Sequence, residues 1–303
     1  MSSATTGIAA YSVAISSSLS SLLEVGLPVL GGPTKEELFP GAVPIGQVGS
    51  LHLSQIDNWL IGGAVVPTVG ELEQTTSQVY REIFAAVGAK HLVRMWNYVP
   101  DINEVGPDSL ENYRVFCRGR SLAFESRFGT AFNSLLPSAS AVGGPSGSLS
   151  VIFAASENQP QHIENPLQVP AYKYPKDYGP RSPSFSRASV ASTPKGKRVF
   201  ISGTAAIRGH LTVAPDLTQD QIACTLENLA VISQACGIGT DLGYSQNGHR
   251  HFKVYIRHPE EQGLIARSLE QELFRSGDTV TYLQANICRS SLKVEIEVSI
   301  SFT

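Results

Sequence analysis

The stretch KRVFISGTAAIRG, residues 197–209, begins the second of two similar halves, and this repeat decides the fold. Its apolar residues favour a strand, and TQDQIACTLENLAVISQAC (218–236) follows with the spacing of a helix. A strand-like segment, HFKVYIRH (251–258), and a helical one at about 260–275 come next. Two further strands, TVTYLQANIC (279–288) and SLKVEIEVSISF (291–302), complete the half.

The first half repeats this plan. Strand-like NWLIGGAVV (58–66) and HLVRMWNYV (91–99) are each followed by a helical stretch, at about 68–87 and 109–126, and two strands close the half at 139–142 and 148–156. The shared plan indicates duplication. We predict an α+β fold of two units in pseudo-repeat, with mixed sheets and helices on one face, that pack through their sheets. A ligand pocket is expected where the units meet.

The repeat predicts four segments. They are an N-terminal arm at 1–50, an N-terminal unit at 51–156, a connecting loop at 157–196 and a C-terminal unit at 197–303. The loop contains ENPLQVPAYKYPKDYGPRSPSFSRA (164–188), whose five prolines exclude a regular helix or central strand. Its tyrosines and basic residues are typical of packed segments. It is interpreted as a stiff connector or as a lid over a small anion.

Composition narrows the class of protein. A net charge of −3 and a pI near 6.2 argue against a general nucleic-acid binder, and no apolar run approaches the ~20 residues of a membrane-spanning helix. The N-terminus lacks the basic region of a signal peptide. The four scattered cysteines, at 117, 224, 236 and 288, fit reduced thiols rather than a zinc site or a disulfide framework. A cytoplasmic location is expected.

The second half resembles the YjgF-type reactive-intermediate deaminases. The matching segments are FISGTAA (200–206), CTLENLAVI (224–232), KVYIRH (253–258) and VEIEV (294–298). The resemblance implies YjgF-like (chorismate-mutase-like) α/β sandwich units, of a kind that form trimers with ligand clefts between subunits. The first half matches that family more faintly.

Six longer features, in order along the chain, resemble the chorismatases. They are RMWNYVPDIN (94–103), ENYRVFCRGRSLAF (111–124), PSASAVG (137–143), IENPLQVPAYKYPKDYGPRSPSFSRA (163–188), SGTAAIRGH (202–210) and the pair Cys288 and Glu295. This resemblance implies an enzyme that removes pyruvate from chorismate without metal or cofactor. It implies no nucleic-acid or membrane partner, and a monomer or small homo-oligomer.

Chorismate carries two carboxylates, so its site needs two cationic groups, and guanidinium suits carboxylates through its paired donors. The candidate substrate-binding residues in the matching motifs are Arg118, Arg120, Arg181, Tyr172 and Tyr178. Each arginine can instead form a structural salt bridge. Motif membership favours Arg120 and Arg181, and Arg94 and Arg187 rank lower. In the SGTAA turn, Gly203 and Thr204 are expected to offer backbone N–H groups, and Ala206 to shape the pocket.

Cleavage of an enol ether needs an acid that protonates the methylene carbon. Strand alternation places Glu295 and Glu297 on one face of the last strand, on the order of 7 Å apart. A solvated strand face is the alternative. The chorismatase pattern selects Glu295 as the catalytic acid, seven residues after Cys288, and leaves Glu297 to orient an Arg or Lys.

In the family, a cysteine at position 288 accompanies the branch that makes 3-hydroxybenzoate. The alternatives are 3,4-dihydroxycyclohexa-1,5-diene carboxylate, and a mixture of 3- and 4-hydroxybenzoate. Alanine in the SGTAA turn, where the aromatising branch more often has glycine, leaves the product open. An imine or enamine deaminase and a non-catalytic small-anion binding module are the other functions that the sequence allows.

Overall fold

The computed structural model describes residues 9–18, 21–68, 71–106, 108–194 and 196–302. The strands that precede the first helix are β1 (Ala10–Ala14), β2 (Leu22–Gly31), β3 (Lys35–Glu37), β4 (Val43–Val48), β5 (Leu51–Ile56) and β6 (Trp59–Pro67). The first unit continues with α1 (Leu72–Val87), β7 (His91–Pro100), α2 (Asn112–Phe128), β8 (Ser138–Gly144) and β9 (Ser148–Ser156).

The connecting loop and the second unit follow. The loop carries the short strand β10 (Gln161–Ile163) and leads into β11 (Ala188–Thr193). The second unit contains β12 (Gly196–Ala205), β13 (Ile207–Arg208), β14 (Leu211–Thr212), α3 (Thr218–Ala235), β15 (His249–Ile256), α4 (Gln262–Glu272), β16 (Thr279–Gln284) and β17 (Val294–Phe302).

The two units have the same topology. The first sheet has the order β4-β5-β6-β9-β7-β8, and the second has the order β10-β11-β12-β17-β15-β16-β2-β1-β3. Strand β9 is antiparallel to β6 and β7, and β17 is antiparallel to β12 and β15. The last pair of each unit, β7 with β8 and β15 with β16, is parallel. The predicted α+β pseudo-repeat is therefore confirmed by strand order and direction.

The layers of the molecule follow from which faces of the sheets are apolar. Helices α1 and α2 cover one face of the first sheet, where Tyr80, Phe84 and Phe124 pack with residues of β6, β7 and β9. Helices α3 and α4 cover the second sheet in the same way. The opposite faces of the two sheets pack on each other around Trp59, Trp96 and Phe200. The predicted packing through the sheets is confirmed, in a helix–sheet–sheet–helix stack.

The N-terminal segment differs from the predicted arm. Strands β1, β2 and β3 extend the second sheet beyond β16, and β4 pairs with β5 at the edge of the first sheet. The apolar residues Tyr11, Val13 and Leu23 are buried in the core between the sheets. Strands β1 to β3 are therefore part of the second sheet and β4 is part of the first. Apolar side chains of β1 and β2 complete a core that the two units leave open, whereas β4 is largely exposed.

Candidate active site

A cavity lies between the two units. It encloses about 840 Å³, part of which is open to solvent. Its walls come from α2, β8, the connecting loop, β12 and β17, so both units and the loop between them contribute. The lining includes four arginines, several aromatic rings and two thiols: Arg114, Arg120, Arg187, Arg289, Tyr113, Phe116, Tyr174, Tyr178, Phe185, Cys117 and Cys288. This is the predicted position for a pocket.

Glu295 is a buried carboxyl residue that lines this cavity. Strand β17 alternates, so that Val294, Ile296 and Val298 face helices α3 and α4 while Glu295 faces the cavity. The pKa of Glu295 is raised to about 8: burial is the largest cause, nearby Glu297 also raises it, and Arg94 and Arg187 partly oppose the shift. The carboxyl is 3% exposed and forms no ion pair or side-chain hydrogen bond with any described residue. Near neutral pH it is a protonated acid whose proton is free to be donated.

The absence of a side chain at Gly203 leaves room for the Glu295 carboxyl. A Cβ on Gly203 would lie 1.9 Å from Oε1 of Glu295 and 2.6 Å from its Cδ. The Gly203 N–H donates to Oγ of Ser140 at 3.1 Å. That donor is thus already used by Ser140, and Gly203 contributes mainly by allowing close approach.

The Gly203→Ala variant should therefore displace the Glu295 carboxyl and lower activity by at least tenfold, with smaller effects on folding. The clash is with a side-chain tip, which moves at a cost of roughly 1–3 kcal/mol. Activity and melting temperature would be measured beside Gly263→Ala, where the nearest contact of an added Cβ is an arginine tip at 3.5 Å. Full activity in Gly203→Ala would show that the position of Glu295 does not matter.

Glu297, two residues further on, is ionised and fully paired. Its Oε2 accepts from Nη2 of Arg94 at 2.7 Å, and its Oε1 lies 2.8 Å from Nζ of Lys253. Trp96 and Ser140 also donate to it. Burial disfavours its charge, but Lys253 and Arg94 outweigh burial and lower the pKa of Glu297. The two carboxyls therefore have opposite protonation states. Glu297 holds Lys253 and Arg94, in keeping with the expectation that it orients an Arg or a Lys.

Cys288 lies close to Glu295 in the cavity wall. Burial, followed by the charge of Glu295, raises the pKa of the Cys288 thiol to about 12. The group is therefore a neutral thiol and not a nucleophilic thiolate. It can act as a small, weakly polar part of the wall.

Arg120 is the cation most available for a ligand. It is 2% exposed, and its Nε and Nη2 are buried without a hydrogen-bond partner among the described residues. Its guanidinium lies over the rings of Tyr80 and Phe124, at 5.3 and 5.8 Å from their centroids. Buried donors without acceptors are costly. A carboxylate in the cavity would satisfy them.

Two more arginines face the cavity beside the connecting loop. Nη2 of Arg187 donates to the hydroxyl of Tyr174 at 2.7 Å, while its Nε is buried and unpaired within the described chain. Arg289 stacks over Tyr178, with 4.4 Å between its Cζ and the ring centroid, and donates to Thr212. Neither has an ion-pair partner among the described carboxylates, so the cavity offers positive charge at more than one place.

Three predicted binding residues outside the SGTAA segment do not line this cavity. Arg118 pairs with Glu73 and, at 2.9 Å, with Asp108, because residues two apart on a helix point to opposite sides and Arg120 has the cavity side. Arg181 pairs with Glu125 of α2 at 2.8 Å and ties the loop to that helix. Tyr172 packs against the core beneath α1 and α2.

The SGTAA segment is not a turn as predicted: its first four residues form the end of strand β12, so successive side chains point to opposite faces of the sheet. Gly203 and Ala205 line the cavity, whereas Thr204 is buried with its hydroxyl donating to the carbonyl of Ser202. Ala206 lies in a small apolar cluster with Ile207 and Leu292. Tyr178 does line the cavity.

Sequence reasoning ranked Arg187 low and did not select Arg289 or Ser140. The sequence signal for these two arginines was their position. Arg289 directly follows Cys288, and Arg187 lies near the end of the Pro- and Tyr-rich segment 164–188 of the connecting loop. Ser140 belongs to the PSASAVG motif, but its contact with Glu297 spans 157 residues of sequence. No local pattern reports such a contact.

Comparison with known proteins identifies related sequences. Residues 38–155 match the family model described as "Chorismatase FkbO/Hyg5-like, N-terminal". The chain is 37% identical to a 3-hydroxybenzoate synthase of Streptomyces hygroscopicus, over 77% of this chain and 71% of that protein. It is 38% identical to a chorismatase of Streptomyces rapamycinicus, over 79% of this chain and 74% of that protein.

A solved structure gives the same result for the fold. A chorismatase crystal structure superposes with a TM-score of 0.77 at 30% identity, and the match covers 86% of this chain and 80% of that one. The shared fold, the ordered motifs and the identity over most of both chains lead to one conclusion. This chain belongs to the chorismatase family.

Proposed function

We propose that this protein is a chorismatase that removes pyruvate from chorismate and forms 3-hydroxybenzoate, with Glu295 as the acid. One observation carries the proposal: a protonated carboxyl lies in the same buried cavity as Arg120, whose donors have no partner among the described residues. A dicarboxylate with an acid-labile enol ether complements both features. The 3-hydroxybenzoate synthase among the relatives supports the choice of product.

In the first step, Glu295 transfers its proton to the methylene carbon of the enolpyruvyl group. The electron pair of the double bond forms the new C–H bond, which leaves an oxocarbenium ion on the ether carbon and a carboxylate on Glu295. A neutral enol ether is a weak base at its methylene carbon. The acid must therefore still carry its proton at the working pH. Burial of Glu295 provides that condition.

In the second stage the ring hydroxyl oxygen adds to the oxocarbenium carbon and loses its proton. The bond from that oxygen to the ring then breaks, and the ring becomes aromatic as the carbon that bears the ether oxygen loses its hydrogen. The captured oxygen leaves as the keto oxygen of pyruvate, while the ether oxygen stays on the ring and takes the ring proton as the phenol.

Hydroxybenzoate and pyruvate together contain the atoms of chorismate, so no water is consumed and the proton lost by the hydroxyl can return to Glu295. Hydrolysis to the diene diol would instead consume one water. Phe185, Ile207 and Cys288 line the cavity and favour the path without water by limiting its entry.

Two carboxylates of the substrate need two cationic ends. We place one at Arg120, beneath the rings of Tyr80 and Phe124, and the other beside Arg187 and Arg289 at the loop. Tyr174 and Tyr178 support this second end by stacking with Arg289. A fork of donors against each carboxylate fixes the orientation of the enol ether toward Glu295.

The test is product analysis after incubation with chorismate in the presence of EDTA. We expect one equivalent of pyruvate for each 3-hydroxybenzoate. The diene diol or 4-hydroxybenzoate as the main product would correct the product assignment and leave pyruvate release intact. A folded protein that binds chorismate without releasing pyruvate would be a binding module, and ammonia release from an imine substrate would identify a deaminase.

The pH dependence should show the protonated state of Glu295. Since the pKa of Glu295 is raised to about 8, kcat/KM for chorismate should be level below that pH and fall about tenfold per unit above it, because the acid is lost as its proton dissociates. Steady-state kinetics across pH 6–10 would measure this, with pyruvate coupled to a dehydrogenase that is kept in excess. A profile that rises through pH 8 would contradict the role as an acid.

Location and assembly are also part of the proposal. Within the described residues, no helix has both the length and the apolar character that a bilayer crossing demands. All four cysteines are free thiols. We infer a cytoplasmic enzyme that works as a monomer or small homo-oligomer, since one chain supplies both units of the cavity.

A further inference from the structure

The N-terminal strands contact a buried row of charges that ends at the candidate active site. Tyr11 of β1 donates to Oε2 of Glu36 on β3, and both side chains are buried. Glu36 also lies 2.9 Å from Nζ of Lys253 and 3.1 Å from Nδ1 of His251. Both N-terminal residues precede position 38, where the matched family domain begins.

The row continues from Lys253 into the site. Nζ of Lys253 lies 2.8 Å from Oε1 of Glu297, whose Oε2 accepts from Arg94 and from Ser140. Ser140 accepts the Gly203 N–H, and Gly203 lies against the Glu295 carboxyl. Contacts therefore join Tyr11 to Glu295 without interruption across six strands: β1, β3, β15, β17, β8 and β12. The groups in this row are buried, except for Gly203, which is partly buried.

The charges alternate along this row. Arg94 and Lys253 are positive, Glu297 and Glu36 are negative, and the four side chains are at most 6% exposed. Without Glu36, one carboxylate would face two buried cations, and a net positive charge would remain beside Glu295. Buried charges are stable only when they are paired, so Glu36 is needed to hold Lys253 where it pairs with Glu297.

We propose that Tyr11 and Glu36 are positioning residues of the reaction, which act through Lys253 and Glu297 to hold Ser140, Gly203 and the acid Glu295 in place. The proposal rests on the function proposed above. It assigns the N-terminal strands a role in positioning the acid, in addition to completing the second sheet. Through Glu36, these strands supply the negative charge that balances Lys253 near the proton donor Glu295.

The charged and titratable neighbours of Glu295 determine what the test should show. They are Glu297 on the same strand, Arg94 on β7, Arg187 at the end of the loop and Cys288 before β17, with Arg120 and Arg289 on the same cavity. Among these, Glu297 is the group that favours the protonated form of Glu295. An uncompensated positive charge at Lys253 would instead favour the ionised form of Glu295 and lower its pKa.

The experiment compares Glu36→Gln and Tyr11→Phe with Asp278→Asn in the full chain. Asp278 forms a buried ion pair with Arg250 elsewhere on the second sheet, so its loss affects folding but not the row. We expect Glu36→Gln to move the alkaline limit of kcat/KM down by about one pH unit and to lower kcat about tenfold at pH 8. Tyr11→Phe, which loses only a hydroxyl, should lower kcat three- to tenfold with little change in KM. Asp278→Asn should lower the melting temperature and keep the wild-type pH profile.

Each outcome decides the proposal. If Tyr11→Phe, the variant least able to disturb folding, keeps wild-type kcat, and folded Glu36→Gln keeps the wild-type pH limit, the positioning role is wrong while pyruvate release by the wild type still stands. If Glu36→Gln does not fold, Tyr11→Phe alone decides. A shift in all three variants, including Asp278→Asn, would mean a general effect of stability and would overturn the proposal. A wild-type protein that releases no pyruvate would remove the proposed function first.

Discussion

The Glu295→Gln variant should lose roughly 10²–10⁴-fold in kcat, the usual contribution of a general acid. Glutamine has the shape of the protonated acid but no transferable proton. Because Glu295 is neutral below pH 8 and has no ion-pair partner in the described chain, its amide substitute should leave the melting temperature nearly unchanged. Chorismate affinity should stay within about threefold, since the group acts in the transition state.

Kinetics and calorimetric binding of chorismate to the slow variant would measure both effects. Glu227→Gln is a suitable control, because Glu227 is an exposed partner of Arg208 away from the cavity. Turnover in Glu295→Gln within tenfold of wild type would mean that another group donates the proton. A loss of binding together with turnover would mean that Glu295 contacts the ground state instead.

Arg120→Met should combine loss of function with gain of stability. Truncating one partner of a buried charge pair costs about 3–4 kcal/mol, so kcat/KM should fall roughly 10²–10³-fold. Without ligand, however, Arg120 has two buried donors with no partner in the described structure, which cost about 1–3 kcal/mol each, against roughly 2 kcal/mol of attraction between a desolvated guanidinium and the rings of Tyr80 and Phe124. The melting temperature of the ligand-free protein should therefore rise by roughly 2–6 °C.

Arg118→Met is the matched control for this prediction. It lies two residues away on the same helix but is partly exposed and paired with Glu73 and Asp108. We expect wild-type kinetics and a melting temperature that is equal or slightly lower, because surface pairs contribute about 0–1 kcal/mol. If Arg118→Met lost activity and Arg120→Met did not, Arg118 rather than Arg120 would be the substrate-binding arginine of α2.

The different stability effects expected for Arg120→Met and Arg118→Met reflect the free energy that the ligand-free protein loses by keeping a binding cation unpaired. Arg120 is kept in an unfavourable state that only a ligand relieves, whereas Arg118 is neutralised by protein carboxylates. Addition of a dicarboxylate should thus stabilise the wild type more than Arg120→Met, and equal stabilisation would argue against a carboxylate at this position.

The fold was largely predictable from sequence. The four helices and most of the long strands of both units were recognised within a few residues, because their apolar spacing is a local property of the chain. Strand β5 was missed, and β10 and β11 lie in the segment that was predicted to be a connecting loop. The main difference is the N-terminal segment: β1, β3 and β4 have only five, three and six residues, and the apolar run of β2 is interrupted by Glu24, Gly26 and Pro28. They form because two sheets with open edges and an open core are available to pair with them, which is a property of the assembled fold.

Sequence alone determined the repeat, the family and the position of Glu295 on a strand face, since all three depend on residues close together in the chain. Only the tertiary structure decided which arginines meet the acid. Arg120, Arg187 and Arg289 come from three distant segments, and Arg118 and Arg181 are drawn away by carboxylates on neighbouring elements. Whether a carboxyl is protonated likewise depends on burial and on which charges surround it. Glu295 and Glu297 lie on one strand face, and their different partners give them opposite protonation states.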